Sequence, residues 1–204
     1  MNPCEIAVAM TGASGIVYGL RLLECLLKAD ISVHLMVSSA AQTVVAMETD
    51  LRFPTRSRDL QKYLAAYFSV APELLYCYSG IQWTAPLASG SHRIQTMVVC
   101  PCTVGAISAI ARGANDNLIE RAADVMLKEQ RKLILVPREA PFSVIHLENM
   151  LTLARLGAVI LPANPGFYHR PRRVEDLVDF IVARILDHAG VKHHIVARWG
   201  EVIL

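Results

Sequence analysis

The segment Ile6-Ala-Val-Ala-Met-Thr-Gly-Ala-Ser-Gly15 decides how this sequence folds. It begins with an apolar run, Ile6–Met10, which is typical of a strand that is buried on both faces of a sheet. The glycine-containing turn Thr11–Gly15 comes next, and the apolar residues after it fall at helical spacing: Ile16, Leu20, Leu23 and Leu27. A buried strand that leads through such a turn into a helix predicts the start of a parallel α/β sheet.

The same alternation of short apolar segments and helical patterns continues along the chain. The apolar segments predict further strands at Ile31–Val37, Met97–Cys100, Leu133–Val136 and Ala158–Leu161. Helices are predicted between them, and Val174–Leu186 has the clearest amphipathic pattern. Together these elements predict an α/β fold, Rossmann- or flavodoxin-like, in which a doubly wound, mostly parallel sheet carries helices on both faces. We expect a single domain over residues 1–204, with a tail at 190–204 for which no structure is predicted.

Composition excludes several classes of protein. Hydrophobic residues make up 53% of the chain and charged residues 19%, which excludes an intrinsically disordered protein. A formal net charge of +2 argues against nucleic-acid binding through bulk charge. No segment predicts a secretion signal or a membrane span, so we expect a cytoplasmic protein without membrane contact. The large apolar fraction predicts a homo-oligomer, because a small domain hides such surface in an interface.

The cysteine and histidine residues do not predict a metal site. Cys100 and Cys102 are too close in sequence for zinc-ligand spacing and lack a second ligand pair. We interpret them as small apolar side chains at the end of a strand. For His188, His193 and His194 in the tail we expect no carboxylate or cysteine partner, so no metal is predicted there.

Most polar residues of interest follow the carboxyl ends of the predicted strands, where doubly wound sheets bind ligands. The turn Gly12–Gly15 can approach a ligand closely, and the helix after it offers free N–H groups to an anion. The turn is neither a G-x-G-x-x-G nor a P-loop motif, so a plain strand-to-helix turn is an equal alternative. Either Ser38 or Ser39 is expected to cap one helix, and Thr103 is expected to cap another. Together with Ser14, Ser38 and Thr103 could offer hydroxyl groups to one phosphate or ring.

Three charged residues, Arg121, Asp124 and Lys128, share one face of a predicted helix. This spacing is typical of a solvated surface with ion pairs. It also fits a cationic clamp for an anionic substrate at a subunit interface.

Further polar groups follow the last two strands. Arg138 can bind a phosphate in a bidentate manner and Glu139 can accept a proton, although a surface ion pair is an equal alternative. In the loop after the last strand, Tyr168 is a candidate donor to a phosphate, and a lone His169 is more often packed or solvent-exposed than a base. Arg184 lies at one edge of the final helix's apolar stripe, within reach of a pocket or of solvent.

Eight separated segments of the sequence can be compared with known protein families. Each segment alone is weak evidence for a family, but their order and spacing together are specific. They are Thr11–Ile16, Met47–Asp50, Ala88–Ser91, Cys100–Thr103, Glu120–Glu129, Val136–Glu139, Gly157–Ile160 and Phe167–Pro171. With these segments the sequence resembles the UbiX-like flavin prenyltransferases, within the wider group of flavin-containing decarboxylase-type flavoproteins. The resemblance spans residues 5–188.

The resemblance implies an enzyme that joins a dimethylallyl group, from dimethylallyl phosphate, to N5 and C6 of reduced FMN without a metal. It implies that the prenylated FMN serves a UbiD-type decarboxylase, and that the enzyme itself does not decarboxylate. It also implies a homo-oligomer, usually a dodecamer.

The resemblance further implies roles for individual residues. FMN would be bound by Gly12, Ala13, Ser14, Ser38, Thr103 and Arg138. The substrate phosphate would be bound by Arg121, Lys128, Tyr168 and Arg184. Catalytic roles would fall to Glu139, which handles protons, to Ser14, which assists at N5, and to Glu48, which lines the prenyl pocket or handles protons.

One segment departs from the family pattern and leaves two alternative functions open. Thr103-Val-Gly-Ala106 stands where the family commonly has Ser-x-Lys-Thr, so a hydroxyl and a cation near the flavin are missing. One alternative is an FMN-dependent cysteine decarboxylase such as phosphopantothenoylcysteine decarboxylase, although Cys102–Ala106 lacks the asparagine that this class needs. The other alternative is a non-catalytic FMN carrier.

Overall fold

The computed structural model describes residues 5–198 and residue 200. Within that part of the chain, six parallel strands form one sheet in the order β3-β2-β1-β4-β5-β6. The strands are β1 Glu5–Met10, β2 Ser32–Val37, β3 Leu75–Tyr78, β4 Thr96–Cys102, β5 Lys132–Pro137 and β6 Val159–Ile160. The strand order reverses between β1 and β4, as in a doubly wound α/β fold, so the predicted fold class is confirmed. The residues outside the described part of the chain are 1–4, 199 and 201–204. Residue 199 and residues 201–204 belong to the predicted tail at 190–204.

Helices connect these strands and cover both faces of the sheet. In the described part of the chain they are α1 Ile16–Lys28, α2 Ser39–Glu48, α3 Ser57–Phe68, α4 Val104–Ala111, α5 Leu118–Lys128, α6 Val144–Arg155 and α7 Val174–Ala189. None of them is both long enough and apolar enough to cross a membrane.

The core lies on both sides of the sheet because β1 alternates between the two faces. Ile6, Val8 and Met10 pack against α1, α2, α3 and α7 on one face. Ala7 and Ala9 point to the other face, where α4, α5 and α6 cover the sheet. Each fully buried isoleucine or leucine of these layers stabilises the fold by about 2 kcal/mol. A sheet covered on both faces explains why its strands are apolar at every position.

Strand β3 is the element that the sequence analysis missed. It has only four residues and pairs with β2 alone, from Val33 opposite Leu75 onwards. As an edge strand it exposes Tyr76, so it lacks the continuous apolar run of the central strands. The other predicted strands are present with ends that differ by one or two residues, and the predicted helix Val174–Leu186 extends three residues further, to Ala189.

Candidate active site

A cavity of about 510 Å³ opens beyond the carboxyl ends of β1, β2, β3 and β4. Among the residues predicted to bind the flavin, Gly12, Ser38 and Thr103 line it. Its position agrees with the rule that doubly wound sheets bind ligands at the edge where the strand order reverses.

Three helices begin at this cavity, and the N-cap residue of each helix lines it. Ser38 Oγ accepts from the amide of Ala41 at 3.1 Å, which caps α2, and Thr103 Oγ1 caps α4 by accepting from Ala106 at 3.1 Å. The predicted cap at Thr103 is confirmed, and of the two candidates Ser38 and Ser39 the cap of α2 is Ser38. Asn117 caps α5 in the same way, with 3.1 Å from its Oδ1 to the amide of Glu120.

The three N-termini make the cavity attractive to a phosphate. Each helix presents partial positive charge and unpaired N–H groups at its first turn. The sequence analysis missed Asn117, although asparagine three residues before a glutamate and directly before an apolar helix pattern is a start signal.

The first turn of α1 has a different role from the one expected. The Glu48 carboxylate accepts from the Gly15 amide at 3.1 Å (Oε1) and 2.9 Å (Oε2), and from the Ile16 amide at 2.9 Å. The expectation that these N–H groups are free for an anionic ligand is therefore wrong, because a side chain of the protein already satisfies them. The same contact places Glu48 beside the turn that carries Ser14.

Thr11 and Gly12 hold the loops around the cavity in fixed positions. Thr11 Oγ1 donates to the Pro101 carbonyl at 2.9 Å and accepts from the Thr103 amide at 2.8 Å, so it ties the end of β1 to the end of β4. A Cβ at Gly12 would lie 2.5 Å from the Cβ of Ala40 on α2, so only glycine permits this approach. No separate role was predicted for Thr11 from the sequence.

Arg138 and Glu139 follow β5 and lie next to the turn after β1. Arg138 Nε donates to the Ser14 carbonyl at 3.1 Å, so the structure brings these two predicted residues together. Glu139 Oε1 accepts from the amide of Ala140 at 3.1 Å, which holds one carboxylate oxygen and leaves the other available. Both side chains belong to half-buried residues.

From α5, Arg121 reaches the end of the short 3₁₀ turn at Pro86–Ala88, and Lys128 reaches the loop that follows this turn. Arg121 Nε donates to the Ala88 carbonyl at 3.0 Å, and its Nη1 pairs with Asp124 at 3.0 Å. Lys128 pairs with the neighbouring Glu129. The predicted shared face of α5 is confirmed. Its Arg121–Asp124 ion pair agrees with the interpretation of this face as a solvated surface with ion pairs.

None of the four predicted phosphate ligands lines the cavity: Arg121, Lys128, Tyr168 and Arg184 all lie outside its lining. Tyr168 is 79% exposed, and the Arg184 side chain is 52% exposed and pairs with Asp187 at 2.8 Å. Asp187 also lies 3.1 Å from His193 Nε2, so the expectation that the tail histidines have no carboxylate partner is wrong. The described part of one chain therefore does not gather all four predicted phosphate ligands at one place.

One wall of the cavity is uncharged and aromatic. Tyr78, at the end of β3, lines it, and its hydroxyl lies 2.9 Å from His34 Nδ1 on β2. Burial, the largest effect, lowers the pKa of His34 to about 4. The charge of His92 also lowers this pKa, whereas the charge of Glu5 raises it. Burial also raises the pKa of Tyr78 to about 12, so both groups are neutral at neutral pH. Tyr78 was not predicted as a site residue, because β3 was not predicted from the sequence.

The two cysteines of the Cys100-Pro-Cys102 segment are fully buried, as predicted. Burial raises the pKa of both thiols, so neither is a reactive thiolate. In residues 5–198 and 200, no three His, Cys, Asp or Glu side chains are grouped closely enough to hold a metal ion.

A doubly wound sheet with three helix N-termini at one cavity beyond its carboxyl edge defines a phosphate-binding α/β protein. The family model described as Flavoprotein matches residues 1–186. The flavin prenyltransferase UbiX of Pseudomonas aeruginosa is 57% identical over 200 residues, which cover 98% of this chain and 96% of that protein. The chain belongs to the flavoprotein family and, within it, to the UbiX flavin prenyltransferases.

Two solved structures share both the fold and much of the sequence. One is AnUbiX (PadA1) in complex with FMN and dimethylallyl pyrophosphate, with a TM-score of 0.87, 40% identity and 98% of each chain covered. The other is a dodecameric FMN-dependent UbiX-like decarboxylase from Escherichia coli O157:H7, with a TM-score of 0.84 and 41% identity. That match covers 96% of this chain and 98% of the other.

Proposed function

We propose that this chain is a flavin prenyltransferase that transfers a dimethylallyl group from dimethylallyl phosphate to reduced FMN. The bond to N5 would form as the allylic C–O bond breaks, the N5 proton is lost and phosphate leaves. The bond to C6 would form as the C=C bond of the prenyl group is consumed, with one proton lost from C6 and one taken up by the neighbouring alkene carbon. The observation that carries the proposal is the cavity at the ends of β1, β2 and β4, where three capped helix N-termini meet. The identity of 57% to a UbiX flavin prenyltransferase over nearly the whole chain supports the same conclusion.

The residues at the cavity fit FMN. Its volume of about 510 Å³ lies within the range of cofactor sites, and helix N-termini suit the flavin's phosphate. The neutral wall at Tyr78 suits an uncharged part of the ligand. The residues that would hold FMN are Gly12, Ala13, Ser14, Ser38, Thr103 and Arg138. When bound in its reduced form, FMN supplies the electron-rich ring that accepts the prenyl group.

Positive side chains would stabilise the phosphate as it leaves. From α5, Arg121 reaches the end of the 3₁₀ turn at Pro86–Ala88 and Lys128 reaches the loop after it, and the guanidinium of Arg138 lies beside the turn after β1. Fixed cationic donors lower the barrier because they meet the charge that develops on the leaving group.

Tyr168 and Arg184 would complete the site of a neighbouring copy in a homo-oligomer, which we propose to be a dodecamer. Both are exposed in the single chain, as is the adjacent Phe167. The α6 helix supports association because it also exposes large apolar side chains, namely Val144, Ile145, Leu147 and Leu151.

Glu139 would accept the proton that must leave when the second bond forms. The amide of Ala140 holds Oε1, so Oε2 remains for the proton. Ser14 would assist near N5, and Glu48, fixed on the first turn of α1, would line the prenyl pocket or handle protons. The product would serve a UbiD-type decarboxylase in the cytoplasm.

The deciding experiment mixes the purified full-length chain, reduced FMN and dimethylallyl phosphate without oxygen, and measures the mass of the extracted flavin. We expect a gain of one prenyl group in place of one hydrogen. A parallel sample with dimethylallyl pyrophosphate decides between the two donors. Bound but unchanged FMN in both samples would contradict the proposal and favour a carrier, and release of carbon dioxide from a cysteine-containing substrate would favour a decarboxylase.

A further inference from the structure

The loop at residues 88–94, which we call the 88–94 loop, is fastened to the C-terminal end of α5. Arg131, just beyond α5, donates from Nη2 to the Gly90 carbonyl at 2.5 Å and from Nη1 to the Ile94 carbonyl at 3.2 Å. Ile94 is buried, so this end of the loop is anchored in the core. A single planar guanidinium therefore fixes the backbone of the loop at two points.

Gly90 lies directly against the Lys128–Glu129 pair. A Cβ at position 90 would lie 2.2 Å from Glu129 Oε1 and 3.0 Å from Lys128 Nζ. The φ of Gly90 lies outside the left-handed region, so only these neighbours exclude a side chain. The loop backbone thus occupies the space beside the ammonium and confines it on one side.

Glu129 confines the ammonium on another side. The hydrogen bond from Lys128 and its charge lower the pKa of Glu129, and the charge of Arg131 lowers it further. Glu129 therefore remains ionised and keeps its contact with Lys128. Arg131 acts on both sides of the ammonium, since it binds the loop and lies near Glu129.

We propose that Arg131 and Gly90 are positioning residues that fix the place of the Lys128 ammonium and thereby set how tightly the enzyme binds its substrate's phosphate. The inference rests on the proposed function, which assigns that phosphate to Lys128. It requires neither residue to touch the substrate. Arg131 and the 88–94 loop would therefore affect the substrate only through the side chain of Lys128.

The first test is Arg131→Lys, which keeps the positive charge but loses the planar fork. We expect the KM for dimethylallyl phosphate to rise about tenfold and kcat to fall as well, because the displaced ammonium meets the phosphate both when it is bound and as it leaves. Arg112→Lys is the control. Arg112 is exposed just after α4 and is not one of the residues that contact the 88–94 loop through Arg131. A role in folding alone would lower the midpoint of thermal unfolding and leave KM unchanged.

The second test is Gly90→Ala, which pushes the added methyl group into the Lys128–Glu129 pair. We expect a similar rise in KM from a change that leaves Arg131 intact. Each substitution is then repeated with Lys128→Met, where neither should have a further effect on KM, because the side chain through which both act is gone.

Calorimetric binding of dimethylallyl phosphate to the FMN-loaded protein separates this inference from the proposed function. A wild-type protein that makes no prenylated flavin contradicts the proposed function, whereas weaker binding in both variants still supports the positioning role. Unchanged KM and unchanged binding in Arg131→Lys and Gly90→Ala would overturn it. Full additivity with Lys128→Met would overturn it as well.

Discussion

The carboxylate of Glu48 accepts a hydrogen bond from the backbone amide of Gly15, 33 residues earlier in the chain, with N–O distances of 3.1 and 2.9 Å to its two oxygens. Gly15 has no side chain with which to cap α1, so a residue from the end of α2 supplies the missing acceptor. The contact joins two segments that the sequence analysis treated as separate motifs.

Replacing Glu48 with glutamine should destabilise the fold. The amide oxygen can still accept one hydrogen bond, but the negative charge at the start of α1 is lost, so we expect the free energy of unfolding to fall by about 1 kcal/mol. Urea denaturation measures the change. Glu148→Gln is the control, because Glu148 is exposed on α6. Equal stability of the two variants would contradict the capping role.

Gly12→Ala should weaken FMN binding. The new methyl group would lie 2.5 Å from the Cβ of Ala40, so the turn after β1 and the start of α2 must move apart. We expect the Kd for FMN to rise at least about tenfold, since the cavity wall is displaced. Gly105→Ala is the matched control for Gly12→Ala, because a Cβ at position 105 has no neighbour nearer than 3.9 Å. Fluorescence titration should show a normal Kd for this control.

Ala106→Thr should strengthen FMN binding. Ala106 lines the cavity in the first turn of α4 and carries no polar side-chain group. A hydroxyl there adds one hydrogen bond to a bound ligand, which we expect to lower the Kd for FMN about fivefold. Ala111→Thr, at the other end of α4, serves as the control. A Kd that stays the same in both variants would show that position 106 does not contact the ligand.

His34 should make the fold less stable in acid. Its pKa is 6.5 in the unfolded reference and about 4 in the folded chain, so between these values the unfolded chain binds more protons. Stability therefore falls as the pH drops from about 6.5 to about 4, by at most about 3 kcal/mol. His34→Gln should lose less stability than the wild type between pH 7 and pH 4.5. Denaturant unfolding at both pH values measures this, and equal losses would contradict it.

Glu139→Gln should separate catalysis from flavin binding. The amide cannot accept the proton, so we expect prenylation to slow at least about a hundredfold while FMN still binds. Single-turnover mass analysis of the flavin measures the rate, and Glu175→Gln on the exposed first turn of α7 is the control. An undiminished rate would move the base to another residue.

The sequence predicts the parts of this structure that depend on local pattern. Apolar runs identify the central strands, and Ser38 and Thr103 are recognisable as caps because each directly precedes a helical pattern. The contact of Glu48 with Gly15 could not be predicted, because only the fold brings together groups so far apart. Tyr78 was missed because a short edge strand lacks a two-sided apolar run.

The three helix starts around the cavity present backbone amides, which are phosphate donors that do not titrate. Backbone amides neither gain nor lose a proton in ordinary buffers, unlike a lysine or histidine that holds a phosphate by its charge. Across the pH range in which histidines titrate, retention of a phosphorylated ligand by these amides would therefore follow the ionisation of the ligand's own phosphate. No single side-chain replacement at Ser38, Thr103 or Asn117 would abolish it, because the dipoles belong to the main chain.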